Sequence, residues 1–166
     1  PSLPHRRLST NLGQARVDAA AARPDAERMG RATLRVERSL WGEEVRLIAG
    51  VDEVGRGPLA GPVTAGAVVL PPGVRAAGRF RFLKHVNDSK QLTAPQREEL
   101  AEYIWEQALA AAVSSVAVEA IDRIGIAEAS RQAMLAAVGD LGLRPDHLLL
   151  DAFPLRACNI SQTAIV

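Results

Sequence analysis

Ile48-Ala49-Gly50-Val51-Asp52-Glu53-Val54-Gly55-Arg56-Gly57-Pro58 is the stretch on which the reading of this chain turns. Leu47, Ala49 and Val51 alternate with Arg46, Ile48 and Gly50. That period-two pattern predicts a strand over Val45 to Val51. It runs straight into a pair of acids and then a turn built from two glycines around one arginine. A second β-branched and small-residue run, Val63 to Leu70, follows Gly61-Pro62 and is closed by Pro71-Pro72-Gly73. The two runs are close enough in sequence to pair as antiparallel neighbours across the glycine-rich connection.

Working outward, Thr93 is a helix cap, with Pro95 in the first turn and Gln96 three residues on completing a capping box. Leu100, Tyr103, Ile104, Ala108 and Ala111 form the expected apolar stripe. A third strand is predicted at Ser114 to Val118. A second long helix begins near Ile126, with Ala129, Ala133, Met134, Ala137, Val138 and Leu141 at helical spacing and Gly139 and Gly142 as the stop. His147 to Asp151 is short and almost wholly apolar, as expected of a strand buried on both faces. The predicted order is β-β-helix-β-helix-β, an α/β fold around a mixed sheet. Upstream, Leu34, Leu40 and Trp41 share a stripe that predicts a leading helix at about 31–42. Residues 1–30, rich in Arg and Ala, read as a poorly ordered extension. The domain proper is therefore residues 31–166.

Composition narrows the class. The 166 residues are 48% hydrophobic and 23% charged, which excludes disorder over the whole chain. The one cysteine, Cys158, excludes a disulfide framework and suits a reducing compartment. No apolar run approaches the ~20 residues that cross a bilayer, and Pro1 to Thr10 lacks the apolar core of a signal peptide. The expectation is a soluble, cytoplasmic, monomeric protein with no membrane partner. The net charge of +1 divides into +3 up to Arg46 (nine Arg, six acids) and −2 beyond it (eleven basic, thirteen acidic). Neither value alone demands a polyanionic partner. Arg75, Arg79, Arg81, Lys84 and Lys90 meet only one acid, Asp88, and taken alone this stretch reads first as solvated surface.

The chemistry rests on carboxylates. Two apolar strands end in acids, Asp52-Glu53 and Asp151. At the carboxyl ends of adjacent strands in an α/β sheet such acids converge on the rim where ligands bind. Carboxylates that close repel unless a cation joins them, and hard oxygen donors suit Mg²⁺ or Mn²⁺. Neighbouring strand residues point to opposite faces, so Asp52 and Glu53 reach one ion only where the strand ends or bulges. Taken bare, an acid at a strand end is more often a turn or cap residue. Gly55-Arg56-Gly57 sharpens the metal reading, because two glycines expose backbone N–H and C=O groups to a sugar hydroxyl or a phosphate. Asn87-Asp88-Ser89-Lys90 adds a polar cluster just ahead of a helix start, which reads equally as a capped loop or a phosphate site.

Together these segments resemble the ribonuclease HII (type 2 ribonuclease H) family. The resemblance is carried by Ile48 to Pro62, by Asn87-Asp-Ser-Lys-Gln-Leu92, by Gly125-Ile-Ala-Glu-Ala-Ser130 and by Leu148-Leu-Leu-Asp-Ala152. It covers about Leu40 to Val166. It implies an RNase H-like mixed β-sheet flanked by helices. It also implies an endonuclease that cuts the RNA strand of RNA–DNA hybrids and incises 5′ of single ribonucleotides in duplex DNA, with two metal ions, leaving a 3′-hydroxyl and a 5′-phosphate. By motif match Asp52, Glu53 and Asp151 are the catalytic metal ligands, for Mg²⁺ or Mn²⁺. Gly55, Arg56 and Gly57 read the ribose 2′-hydroxyl, and Asn87 and Lys90 contact the nucleic-acid backbone. Two ions held by carboxylates suffice for an in-line phosphoryl displacement, so no nucleophilic His or Cys is required. With this resemblance, the basic 75–90 stretch is expected to lie near the duplex.

The family pattern also includes a fourth acid in a Lys-Gly-Asp segment and further C-terminal helices with a substrate-contacting tyrosine. The sequence as written carries neither, so the C-terminal part of the domain is expected to be missing and the chain to be weakly active or inactive. Two competing readings follow: a catalytically impaired domain that binds hybrid or duplex nucleic acid without cutting, and another metal nuclease of the same fold, such as a resolvase. Asp52-Glu53-Val54-Gly55-Arg56-Gly57 argues against the second, which has no need of a 2′-hydroxyl reader.

Overall fold

The computed structural model describes residues 32–42, 44–56, 61–151 and 153–165. The predicted extension at 1–30 and the second glycine of the turn, Gly57, lie outside the described residues. Among the described residues five strands form one sheet in the order β3-β2-β1-β4-β5. They are β1 (Ile48–Val54), β2 (Val63–Val69), β3 (Ala110–Val116), β4 (His147–Asp151) and β5 (Ser161–Ile165). The β1–β2–β3 part is antiparallel, while β4 and β5 run parallel to β1. The predicted mixed sheet is therefore present, and the first two strands pair as expected.

Asp146 anchors the centre of this sheet. Its Oδ2 accepts from the N–H groups of Arg46 and Leu47 at 3.0 and 2.8 Å, tying the entry of β1 to that of β4. Those two hydrogen bonds hold its carboxyl below the usual carboxylate range.

Among the described residues four α-helices accompany the sheet: α1 (Arg35–Leu40), α2 (Ala94–Gln107), α3 (Val118–Ile124) and α4 (Ile126–Gly139). Two short 3₁₀ segments, Gly78–Lys84 and Ser89–Gln91, lie between β2 and α2. Helix α2 starts at the predicted cap, where Gln96 Oε1 accepts from the Thr93 N–H at 2.9 Å. Helix α4 buries Ala129, Ser130, Ala133, Met134, Ala137 and Val138, the predicted stripe with one added serine. Ser130 is accommodated because its hydroxyl donates to the Ile126 carbonyl at 2.9 Å. Met134 belongs to one buried cluster with Ala49, Val51, Ala65, Leu148 and Leu150, and α4 packs against β1, β2 and β3, so it covers one face of the sheet.

Three expectations are corrected. The third strand starts at Ala110, not Ser114, because Ala110, Ala111 and Ala112 pair with Val69, Val68 and Ala67 of β2. Ladder hydrogen bonds override the helical preference of the alanine run. Ala108 and Ala111 accordingly leave the α2 stripe, in which only Leu100 is buried. Val118 joins α3, a helix the apolar pattern did not single out. Finally, β1 spans Ile48–Val54 where Val45 to Val51 was expected, so both acids lie inside the strand.

Candidate active site

The extension of β1 through Val54 decides where its acids point. Its register against β2 is regular from Ala49↔Val69 to Val54↔Thr64, with no bulge. Alternation then sends Asp52 to the face opposite α4, and Glu53 to the face of Val51. On the other side, Val51 pairs with Leu150, so Asp52 and Asp151 stand side by side at the ends of parallel neighbours. The two aspartates thus meet on the face that α4 leaves open, about one strand spacing of ~4.8 Å apart along the ladder.

Their electrostatics agree with that placement. Burial pushes the Asp52 carboxyl above its ordinary range, and the charges of Asp151 and Glu53 push it further. The Glu53 N–H, donating to Asp52 Oδ1 at 2.7 Å, and the nearby Lys90 cation act in the opposite direction. A carboxylate crowded by two others is where a divalent cation binds best.

Glu53 is engaged differently. Its Oε1 accepts from Arg56 Nη1 at 3.0 Å, while its Oε2 is buried without any hydrogen-bond partner. A buried, unpartnered carboxylate oxygen is costly and calls for a cation or donor. In chemistry, therefore, the set of Asp52, Asp151 and Glu53 fits a hard divalent ion. In arrangement, no three His, Cys, Asp or Glu side chains among the described residues stand close enough together to hold one as they are.

The turn after β1 explains its glycine. Gly55 has φ +96°, and a Cβ there would stand 2.8 Å from the carbonyl oxygen of Pro62. Arg56 follows at the cleft edge. Asn87 and Lys90 enter from the loop ahead of α2, where Asp88 Oδ1 accepts from the Lys90 N–H at 3.0 Å and Asn87 Nδ2 donates to Gln91 Oε1 at 2.8 Å. This loop is fastened by a residue the sequence did not single out. Arg97 Nη1 donates to the Leu92 carbonyl at 2.6 Å and reaches that of Ser89 at 3.3 Å. In the sequence Arg97 is one more exposed helix cation, and only the loop folding back onto α2 gives it this role.

One cleft of about 780 Å³ is lined by Asp52, Glu53, Gly55, Arg56, Asn87, Lys90 and Asp151, together with Val54, Asp88 and Ser89. It thus gathers every predicted site residue among the described ones. A separate cavity of about 520 Å³ between the Gly78–Lys84 segment and α2, bordered by Arg81, Phe82 and Tyr103, has no such pair of acids. Neither of the described histidines, His85 and His147, lines the cleft. His147 is buried at the far end of β4, bonded to Ser161 Oγ at 3.0 Å and Thr163 Oγ1 at 2.9 Å.

The model of the family described as Ribonuclease HII matches residues 49–164. This chain belongs to the ribonuclease HII family. It is 48% identical over 130 residues to the ribonuclease HII of Moorella thermoacetica, covering 78% of this chain and 60% of that protein. It is also 48% identical over 145 residues to that of Myxococcus xanthus, covering 87% of this chain and 47% of the relative. The chain thus spans about half the length of the curated relatives it matches. Among solved structures, the ribonuclease H2 of Pyrococcus horikoshii superimposes with a TM-score of 0.58 at 27% identity, covering 71% of this chain and 61% of that one. A ribonuclease HII of Archaeoglobus fulgidus, solved in complex with PCNA, gives 0.55 at 25% identity over 72% and 62%. The mixed sheet with flanking helices is therefore the ribonuclease HII arrangement. No helix among the described residues is long and apolar enough to cross a membrane.

Proposed function

We propose that this ribonuclease HII chain carries the site of a metal-dependent endonuclease acting on the RNA strand of RNA–DNA hybrids and on duplex DNA containing single ribonucleotides. Incision falls 5′ of the ribonucleotide and leaves a 3′-hydroxyl and a 5′-phosphate. The chain acts as a cytoplasmic monomer. The reading is carried by the cleft that joins the Asp52–Asp151 pair to the glycine turn and to the Asn87–Lys90 loop.

Asp52 and Asp151 would hold Mg²⁺ or Mn²⁺; Glu53, on the other face of β1 and paired with Arg56, would join them as a third ligand only by leaving that pairing. Such an ion supplies water activation and neutralisation of charge on the leaving oxygen. The remaining work falls to this chain's own groups. Gly55 lets the backbone of the turn approach the sugar closely, so that its polar groups hydrogen-bond a 2′-hydroxyl, the atom that distinguishes RNA from DNA. Arg56 presents in-plane N–H donors at the same edge of the cleft. Lys90 and Asn87 hold backbone phosphates and set the register of the duplex without reading its sequence. The basic stretch at 75–90, exposed at Arg75, Arg79, Arg81 and Lys84, would supply further phosphate contacts.

One observation favours a second reading, in which the chain binds the duplex without cutting. The described acids do not form a three-ligand group, and Glu53 is engaged by Arg56. A single experiment separates the two. The chain is incubated with Mg²⁺ or Mn²⁺, a hybrid, and a duplex bearing one ribonucleotide, and the product ends are mapped. The endonuclease reading predicts nicks with the stated ends that Asp151→Asn abolishes while sparing binding. Salt-sensitive binding that Asp52→Asn leaves unchanged, with no metal-dependent product, establishes the binding reading instead.

A further inference from the structure

Phe153 lies two residues beyond Asp151, in the loop that leaves β4, and its N–H donates to the Asp151 carbonyl at 2.9 Å. Its ring is partly buried against the core beneath α4. Two guanidinium groups share that ring: the Cζ of Arg56 is 5.7 Å from its centroid and the Cζ of Arg131, from α4, is 5.5 Å away. Like charges drawn to one ring repel, yet each here carries its own counter-ion. Arg56 pairs with Glu53 at 3.0 Å and Arg131 with Glu128 at 2.9 Å. A continuous path of contacts therefore runs from the body of α4, through one aromatic ring, to the glycine turn at the cleft.

The placement has a physical consequence. Arg56 follows a glycine at positive φ, and its side chain is 42% exposed, so the backbone alone does little to fix its direction. Stacking on an aromatic face orients a guanidinium plane and leaves its edge donors unused. One edge of Arg56 goes to Glu53; the others remain available to the cleft. The ring is in turn held to α4, the best-packed helix of the fold, through Arg131.

We propose that Phe153, seated by Arg131, is a positioning residue that sets the guanidinium plane of Arg56 and thereby sharpens the preference for a ribonucleotide over a deoxyribonucleotide. The proposal rests on the reading of the cleft as a 2′-hydroxyl-sensing site. Phe153 acts through Arg56 and makes no contact with substrate itself. Neither Phe153 nor Arg131 lies in the sequence motifs of the site; only the fold brings them to the turn.

The test uses the full chain and the variants Phe153→Leu, Phe153→Trp and Arg131→Gln, with two measurements. The first is nuclear magnetic resonance of the arginine side chains without nucleic acid. In the parent chain the ring current shifts the side-chain protons of Arg56 and Arg131 upfield. Phe153→Leu removes both shifts and Phe153→Trp retains them. The second is the ratio of affinities for a duplex with one ribonucleotide and for the same duplex in all-deoxy form. Phe153→Leu lowers that ratio about two- to fivefold, the equivalent of one exposed cation–π contact, and Phe153→Trp restores it. Arg131→Gln, an exposed change that leaves the fold intact, gives a smaller loss in the same direction. Unshifted Arg56 protons in the parent chain overturn the proposal, as does a ratio that Phe153→Leu and Arg131→Gln both leave unchanged. A parent chain with no preference for the ribonucleotide defeats the reading of the cleft. The positioning of Arg56 is then decided by the resonance shifts alone, and their persistence in Phe153→Leu overturns it.

Discussion

Replacing Gly55 with alanine tests how the turn after β1 is built. The residue sits at φ +96°, where a side chain is strained whatever the space around it, and a Cβ would also stand 2.8 Å from the Pro62 carbonyl oxygen and 3.6 Å from Val63 Cα. Both obstacles are backbone atoms, and Val63 begins β2 with no exposed surface, so neither moves aside by a side-chain rotation. The conformational strain costs about 1–3 kcal/mol and the forced displacement about 1–3 kcal/mol more. A loss of about 2–6 kcal/mol is a large share of the ~5–15 kcal/mol that holds an ordinary domain together. Gly50, five residues earlier and inside β1, is the control: nothing lies within 4 Å of the Cβ it would carry. Gly50→Ala is expected to be neutral or stabilising by up to ~1 kcal/mol. Urea unfolding followed by far-ultraviolet circular dichroism reads the difference. At ~1–3 kcal/mol per molar urea, Gly55→Ala lowers the midpoint by about 1 M or more, and Gly50→Ala does not. Equal midpoints for the two variants would refute the argument that the turn needs glycine for steric reasons.

Three further outcomes follow from the same contacts. Because burial and two neighbouring acids raise the Asp52 pKa, its charged form opposes folding, so stability falls as pH rises through that raised value. Asp52→Asn should therefore melt higher than the parent at neutral pH and alike below about 3.8, and Mn²⁺ should raise the parent's melting temperature more than the variant's. Burial lowers the His147 pKa from 6.5, which makes its contribution complete above that pH and progressively lost as pH falls below it. His147→Gln should flatten the melting-temperature profile just below pH 6.5, as followed by differential scanning calorimetry. Met134 is fully buried among alanines, valines and leucines of the sheet, and Met134→Ala should cost about 2–5 kcal/mol in the same urea titration.

Much of the architecture was legible because its signals were local. The buried face of α4 follows the 3.6 period, β4 is a run of leucines, and the capped start of α2 is written in Thr93, Pro95 and Gln96. What escaped depended on partners far away in the chain. Ala110–Ala112 is a strand only because β2 pairs with it, and Ser161–Ile165, polar and short, is a strand only because β4 lies beside it. The site shows the same division. Asp52, Asp151, Arg56 and Lys90 were singled out by residue type and spacing, and the cleft brings them together. The direction of Glu53 was not legible, because it depends on β1 keeping its ladder to Val54 instead of ending at Val51. The roles of Arg97, Arg131 and Phe153 were equally hidden, since each is defined by a contact between elements.

The central claim is that the cleft beside Asp52 and Asp151 senses a ribose 2′-hydroxyl. It is tested most directly by fluorescence anisotropy in EDTA, where no cutting intervenes, comparing a duplex with one ribonucleotide to its all-deoxy twin. One added hydrogen bond to the sugar predicts about two- to tenfold tighter binding of the ribonucleotide duplex. Equal affinities for the two duplexes would contradict it.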